Sequence, residues 1–222
     1  RDRYSYQASP IRFDHLDTVS LKGKRLGLNS KFQKDSLMQR AVTAMKAKGA
    51  VVISFDPPEI QMDQFRRLLD VDMRSDLPKY IKNHAAQDLP FDSVQDVVAF
   101  NKKDTLLHAP YGQGIFLRIA QETLSQEEFQ SEKERLMQQA KIYFQAFEAL
   151  DLDAVISIDN STASYAAAAH YPALGVPMGY LSNGQPKNLT FIAPSKHEQL
   201  LLELGAAFER LTQARKLPEL FQ

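Results

Sequence analysis

The side chains able to carry chemistry in this chain are few, and their spacing argues against the commonest sites. The five histidines, His15, His84, His108, His170 and His197, include no H-x-x-x-H or H-E-x-x-H arrangement that would set two imidazoles on one helical face for zinc. No metal site is expected. The chain has no cysteine, which excludes disulfides, thiolate nucleophiles and Cys-ligated zinc but fixes no compartment. A G-x-S-x-G elbow is absent, as is S-x-x-K, so neither common local signature of an activated serine is present. Catalytic residues are therefore not assigned within this chain. "GQGIFL" at Gly112 to Leu117 begins like a dinucleotide loop, yet Leu117 stands where the third glycine belongs and no strand clearly precedes it. It reads as a turn entering a helix, and no cofactor is expected. Glu127 with Glu128 and Glu132 with Glu134 lie on the polar side of a long helical pattern, where solvated charge is the ordinary explanation.

What remains is a set of polar residues at loop positions, and the elements around them decide what they can do. "LKGKRLGLN" reads as a strand, and Leu37, Ala41, Val42, Ala44 and Met45 recur at helical spacing after Asp35 as cap, with Gly49 as terminator. "AVVISF" then ends at Pro57 and Pro58, as expected for a strand covered on both faces. Helical patterns follow at residues 59 to 83, with Pro78 marking a break or a new first turn, and in "FDSVQDVVAFNKKD". The longest helix is expected over Ser125 to Leu150, opened by a Ser125 and Glu128 capping box. Asp153 to Ile158 predicts a buried strand running into the polar loop Asp159, Asn160, Ser161 and Thr162. Ala173 to Val176 and Asn188 to Pro194 predict two more strands joined through an Asn183-Gly184 hairpin, and Lys196 to Gln213 a closing helix. The fold class is α/β, a mixed sheet flanked by helices, and residues 1–222 read as a single domain without repeats or linkers.

With 222 residues, 44% of them hydrophobic, the chain can bury a sizeable core. Its 27 basic and 27 acidic residues cancel, so no field draws it to nucleic acid or to an anionic membrane, and neither is expected as a partner. No signal peptide or membrane span is visible, and the missing initiator methionine suggests a processed or cut amino end. The sequons at Asn160 and Asn188 are short enough to arise by chance, and Asn188 opens a predicted buried strand.

"DLDAVISIDN" followed by "YPALGVPMGYLSNGQPKNLTFIAPSKHEQLLLELGAAFER" resembles the carboxyl-terminal part of the amidase signature family, especially its peptide-amidase-like branch. The earlier "LKGKRLGLN", "AVTAMKAKGAVVISFDPP", "LPKYIKNH", "SVQDVVAFN" and "YGQGIF" match the same branch in order, so the similarity covers nearly the whole chain. The resemblance implies amide-bond hydrolysis by a serine nucleophile, a second serine in a cis peptide and a lysine, with backbone N–H groups holding the oxyanion. Those residues lie upstream of the matched region in the family, and no Gly-Gly-Ser-Ser stretch occurs here. The chain is thus expected to be a portion of a larger amidase domain, inert alone, whose parent acts on a small-molecule or peptide amide. An alternative is a stand-alone binding or assembly domain derived from an amidase.

Loops at the carboxyl ends of strands face the ligand crevice in open α/β sheets. Asp159, Asn160, Ser161 and Thr162 are candidates to line a cleft on that ground, and Tyr111 and Gln113 on the ground of the family-like "YGQ" loop. For each, an Asx or Ser/Thr turn that merely closes a loop is the other reading. His170 stands where the branch more often has glycine, and either narrows a pocket or packs. A piece of a larger sheet exposes apolar surface, so self-association or packing against an amino-terminal half is expected.

Overall fold

The computed structural model describes residues 10–85 and 89–217. Its contacts gather into two compact units: one runs to Gln61 and resumes at Met137, and the other spans Met62–Leu136.

The first unit holds a five-stranded mixed sheet, as the alternating pattern predicts. Strands β1 (Arg25–Asn29), β2 (Val51–Phe55), β3 (Ala154–Ile158), β4 (Ala173–Tyr180) and β5 (Pro186–Ile192) lie in the order β2-β1-β3-β5-β4. β1 pairs in parallel with both β2 and β3, whereas β5 runs antiparallel to β3 and β4. β1 is followed by β2 on one side and flanked by β3 on the other, so the strand order reverses between β1 and β3.

One face of the sheet carries Leu26, Leu28, Ala154, Ile156, Val176, Leu189 and Phe191, all buried. Two amphipathic helices cover it. α1 (Ser36–Ala47) buries Leu37, Met38, Ala41 and Met45, and α9 (Glu198–Thr212) buries Leu201, Leu204, Ala207 and Phe208. The predicted caps are in place: the Asp35 carboxylate accepts from the Met38 N–H at 2.9 Å, and Gly49 ends α1 at φ +86°. α9 approaches β4 so closely that a Cβ on Gly205 would lie 2.5 Å from a Leu174 methyl, which accounts for glycine inside that helix.

Several boundaries differ from the periodicity. β2 lies at a sheet edge and none of its residues is buried, because no strand among the described residues covers its outer side. β4 continues through Pro177 to Tyr180, since the missing N–H costs nothing on an edge strand, and a register shift falls between Pro177 and Gly179. The long helix ends at Tyr143 as α6 (Gln126–Tyr143), and a separate turn α7 (Ala146–Ala149) follows. A short helix α8 (Ala163–Ala169) follows the polar turn, in a stretch to which the sequence pattern assigns no element. The predicted hairpin joins β4 to β5, with Gly184 at φ +83° and its N–H donated to Leu181 O at 2.9 Å.

The second unit is helical. α2 (Phe65–His84) runs unbroken through Pro78, followed by α3 (Val94–Lys103), α4 (Thr105–His108), α5 (Gly114–Gln121) and the beginning of α6. Leu68, Val71, Val94, Val98, Ile119, Phe129 and Leu136 are its buried apolar side chains. Buried Asp70 of α2 receives two hydrogen bonds from Arg118 of α5, at 2.5 and 2.9 Å, and Arg67 pairs with Glu122 at 3.0 Å. Arg74 also donates to the backbone carbonyls of Glu122 and Leu124. These contacts lock α2 against α5. The capping box forms as spaced: Ser125 Oγ accepts from the Glu128 N–H while Glu128 accepts from the Ser125 N–H at 2.9 Å.

A strap, Arg12 to Val19, is tied along α9. Gln199 accepts from the Arg12 N–H at 2.8 Å, His15 Nε2 meets Glu203 at 3.1 Å, and Arg210 donates to the carbonyls of Leu16 and Val19. Glu203 and Asp14 raise the His15 pKa, and His15 in turn lowers that of Glu203.

Phe208→Ala removes a fully buried ring that meets Phe191 edge-on at 5.9 Å. It is expected to lower stability by about 3–5 kcal/mol, seen as a lower urea midpoint with an unchanged slope. The strap is expected to respond to pH on both sides. The glutamate contribution is present above the ordinary glutamate pKa and lost as pH falls through the lowered one; the histidine contribution is present below its ordinary pKa and lost as pH rises through the raised one. Hydrogen-exchange protection of the Thr18 N–H, which donates to His15 O, should therefore peak between about pH 4.3 and 6.5. His15→Gln should flatten that profile; a wild-type profile indistinguishable from the variant's rejects the ion pair as the tie.

Candidate functional site

The parallel arrangement of β1, β2 and β3 turns their three carboxyl ends the same way, and a ligand crevice is expected beside the point where strand order reverses. A crevice of about 340 Å³ opens there, within the first unit. Asn29 at the end of β1, Ser30 and Lys31 after it, Asp56 to Ile60 after β2, Tyr143 at the end of α6 and Tyr165 of α8 line it.

Asn29 organises the floor. Buried at the last position of β1, it caps the single 3-10 turn Ser30–Phe32 by accepting the Lys31 N–H on Oδ1 at 3.0 Å. That contact orients the carboxamide, so its Nδ2 donates to the Tyr143 hydroxyl, also at 3.0 Å. The Tyr143 ring is held edge-on by Phe55 at 6.2 Å, Phe144 at 5.0 Å and Tyr165 at 4.8 Å. Burial pushes the Tyr143 pKa up, against a smaller lowering by the Asn29 hydrogen bond. The phenol therefore keeps its proton throughout the neutral range.

The rim is mostly acidic. Ser30 hydrogen-bonds Asp56, Glu59 stands nearby, and the Lys31 ammonium lies 4.7 Å from the centre of its neighbour Phe32. Pro57, Pro58 and Ile60 add apolar walls. Two hydroxyls of β3 and its following turn, Ser157 Oγ and Thr162 Oγ1, are buried without a hydrogen-bond partner among the described residues. Such orphans call for an explanation, and an ordered water is the simplest group that would complete them.

The residues expected from sequence fall into three places. Asp159, at φ +48°, closes the β3 turn: its carboxylate accepts the Asn188 N–H at 2.8 Å and pairs with Lys187, and its carbonyl accepts from Thr190 Oγ1 at 2.6 Å. Asn160 and Ser161 are exposed on that turn, and Thr162 is buried at the start of α8. His170 lies at the other end of α8, exposed and left-handed at φ +58°, a conformation in which glycine would rest without strain. Tyr111 and Gln113 belong to the second unit. Gln113 accepts from Asn101 at 3.2 Å, and the Tyr111 ring is wholly exposed beside Gly112.

Asn29, Asp56, Tyr143 and Tyr165 escape sequence reasoning. Asn29 and Asp56 each follow an apolar strand run, which is the available signal. Tyr143 fits the α6 stripe as a core residue, and nothing local marks it as a crevice wall. The acidic helical pairs are accounted for without a site: Glu128 serves the capping box and Glu132 pairs with Arg135 at 2.6 Å. Among the described residues no cluster of three His, Asp or Glu side chains gathers to hold a metal ion, and no helix is long and apolar enough to cross a membrane.

No family model matches the chain. A probable amidase of Arabidopsis thaliana is 30% identical over 217 residues, covering 92% of this chain and 41% of that protein. The solved peptide amidase of Stenotrophomonas maltophilia is 27% identical, with a TM-score of 0.80 over 99% of this chain and 50% of its own. An amidase family protein of Bacillus anthracis is 26% identical, with a TM-score of 0.77 over 92% of this chain and 41% of its own. The chain thus spans between two fifths and half the length of the relatives it matches, and does so with almost all of its own residues. It belongs to the amidase signature family and corresponds to the carboxyl-terminal portion of its members.

Proposed function

We propose that this chain forms the cleft-shaping, carboxyl-terminal half of an amide-bond hydrolase and is inert in chemistry by itself, its serine nucleophile being contributed by an amino-terminal half. The continuous match to amidases over more than nine tenths of the chain carries this reading. The absence of any G-x-S-x-G or Gly-Gly-Ser-Ser segment supports the inert part. The substrate is a carboxamide, either a peptide amide or a small molecule, and the name of the Stenotrophomonas relative favours the peptide.

The crevice at the carboxyl ends of β1 and β2 is the cleft wall contributed by the first unit, with Asn160 and Ser161 on the neighbouring turn. Thr162 and Asp159 support that turn from below. Tyr111 and Gln113, in the second unit, and the exposed His170 are candidates for substrate contact on the family resemblance alone. The outer edge of β2, unpaired among the described residues and carrying exposed Val51, is the seam against which the amino-terminal half packs. In its absence the same seam drives self-association, because an open strand edge is a template for another strand.

Measured by ammonia release from a peptide amide, the chain alone should give no rate above buffer. A chimera in which it replaces the corresponding half of the Stenotrophomonas enzyme should turn over measurably. Hydrolysis by the isolated chain, undiminished by purification, rejects the inert reading, whereas a folded chimera without turnover rejects the cleft-shaping one. Light scattering on the isolated chain is expected to give a mass above that of one protomer and binding of a hydrophobic dye. A monodisperse monomer that binds no dye means the β2 edge is not an unsatisfied seam.

A further inference from the structure

The floor of the crevice holds a hydrogen-bond donor that meets no acceptor among the described residues. Asn29 Oδ1 is engaged by the Lys31 N–H, so the tyrosine oxygen must be the acceptor in its contact with Asn29 Nδ2. The proton of the Tyr143 hydroxyl is then directed elsewhere, and no acceptor takes it among the described residues. Three aromatic neighbours fix the ring, which makes the donor preorganised. Tyr165 supplies a flat apolar wall 4.8 Å away, centre to centre. On the rim, Asp56 and Glu59 oppose an anion, while Lys31 sits over Phe32.

We propose that the crevice is a binding subsite for a neutral amide flanked by a planar apolar group, in which the Tyr143 hydroxyl donates to the amide carbonyl oxygen and Tyr165 packs against the group beside it. The assignment deepens the amide-hydrolase reading and rests on it for the ligand class. It makes Tyr143 a binding residue; no bond is made or broken at it. The acidic rim discriminates against a carboxylate, so the corresponding free acid binds more weakly than the amide.

The test is a titration of the whole chain, followed by NMR of a ring-labelled tyrosine at position 143, with N-acetyl-phenylalaninamide, N-acetyl-phenylalanine and phenethylamine. The amide should move the Tyr143 resonances, and the acid should bind at least a few-fold more weakly at neutral pH. Tyr143→Phe should weaken the amide about fivefold, the equivalent of one neutral hydrogen bond, and leave phenethylamine, which has no carbonyl, unchanged. Equal weakening of the amide and phenethylamine would make the hydroxyl structural and overturn the proposal. So would amide binding that leaves Tyr143 undisturbed, or no amide binding at all. Should Tyr143→Phe fail to fold, Tyr165→Leu replaces it, with loss of binding for every ring-bearing ligand expected and unchanged binding overturning the subsite. Because binding is read without turnover, a silent chimera in the hydrolysis assay rejects the parent activity, while a failed titration beside an active chimera rejects this subsite alone.

Discussion

The parallel pairing of β1 with both β2 and β3 is the constraint on which the rest of the first unit depends. Parallel neighbours require crossovers, so the chain must leave each strand at one end and return through a helix or a longer excursion. The three strands therefore release their loops on the same side, and there a crevice gathers residues separated by more than a hundred positions, such as Asn29 and Tyr143. The start of β1 is held equally firmly. Asp153 accepts the Arg25 N–H at 2.8 Å and donates its own N–H to Arg25 O at the same distance. That tie sets the register of β1 against β3, and through it the height at which Asn29 meets the tyrosine.

Around this frame the two faces of the sheet do different work. The face under α1 and α9 is mostly apolar and closely packed, with Gly205 admitting β4 side chains where a methyl would collide. The opposite side of β1 and β3 carries Gly27, Asn29, Val155 and Ser157, a mixture of small and polar residues. Gly27 leaves room for Leu152 and Phe55, whose ring then supports Tyr143. The stabilising burial and the polar chemistry are thus assigned to alternate residues of the same strands, as the two-residue period of a strand requires.

The likeness to amidases runs through almost the whole of this chain while spanning two fifths to half of each relative. The matched portion supplies a mixed sheet and the helices that cover it. Among the described residues the outer edge of β2 is unpaired, whereas proteins commonly blunt such edges with charge, proline or bulges. β4, at the other end of the sheet, shows that contrast: it carries Pro177 and a register shift.

By itself the sequence determined the strands, the α1 and α6 caps, the β4 to β5 hairpin and the family, because each is written in short-range spacing or in an ordered series of local motifs. It also located the polar turn after β3, although there Asp159 serves the turn by binding Lys187 and Asn188. Tertiary structure alone decided the edge position of β2, the passage of β4 through Pro177, the helix α8 and the pairing of Asn29 with Tyr143. The physical reason is that periodicity reports that a residue is buried and not what it is buried against. Tyr143 lies in an apolar stripe whether its hydroxyl meets solvent, a carbonyl or Asn29, and only the crossover topology brings the end of β1 to it.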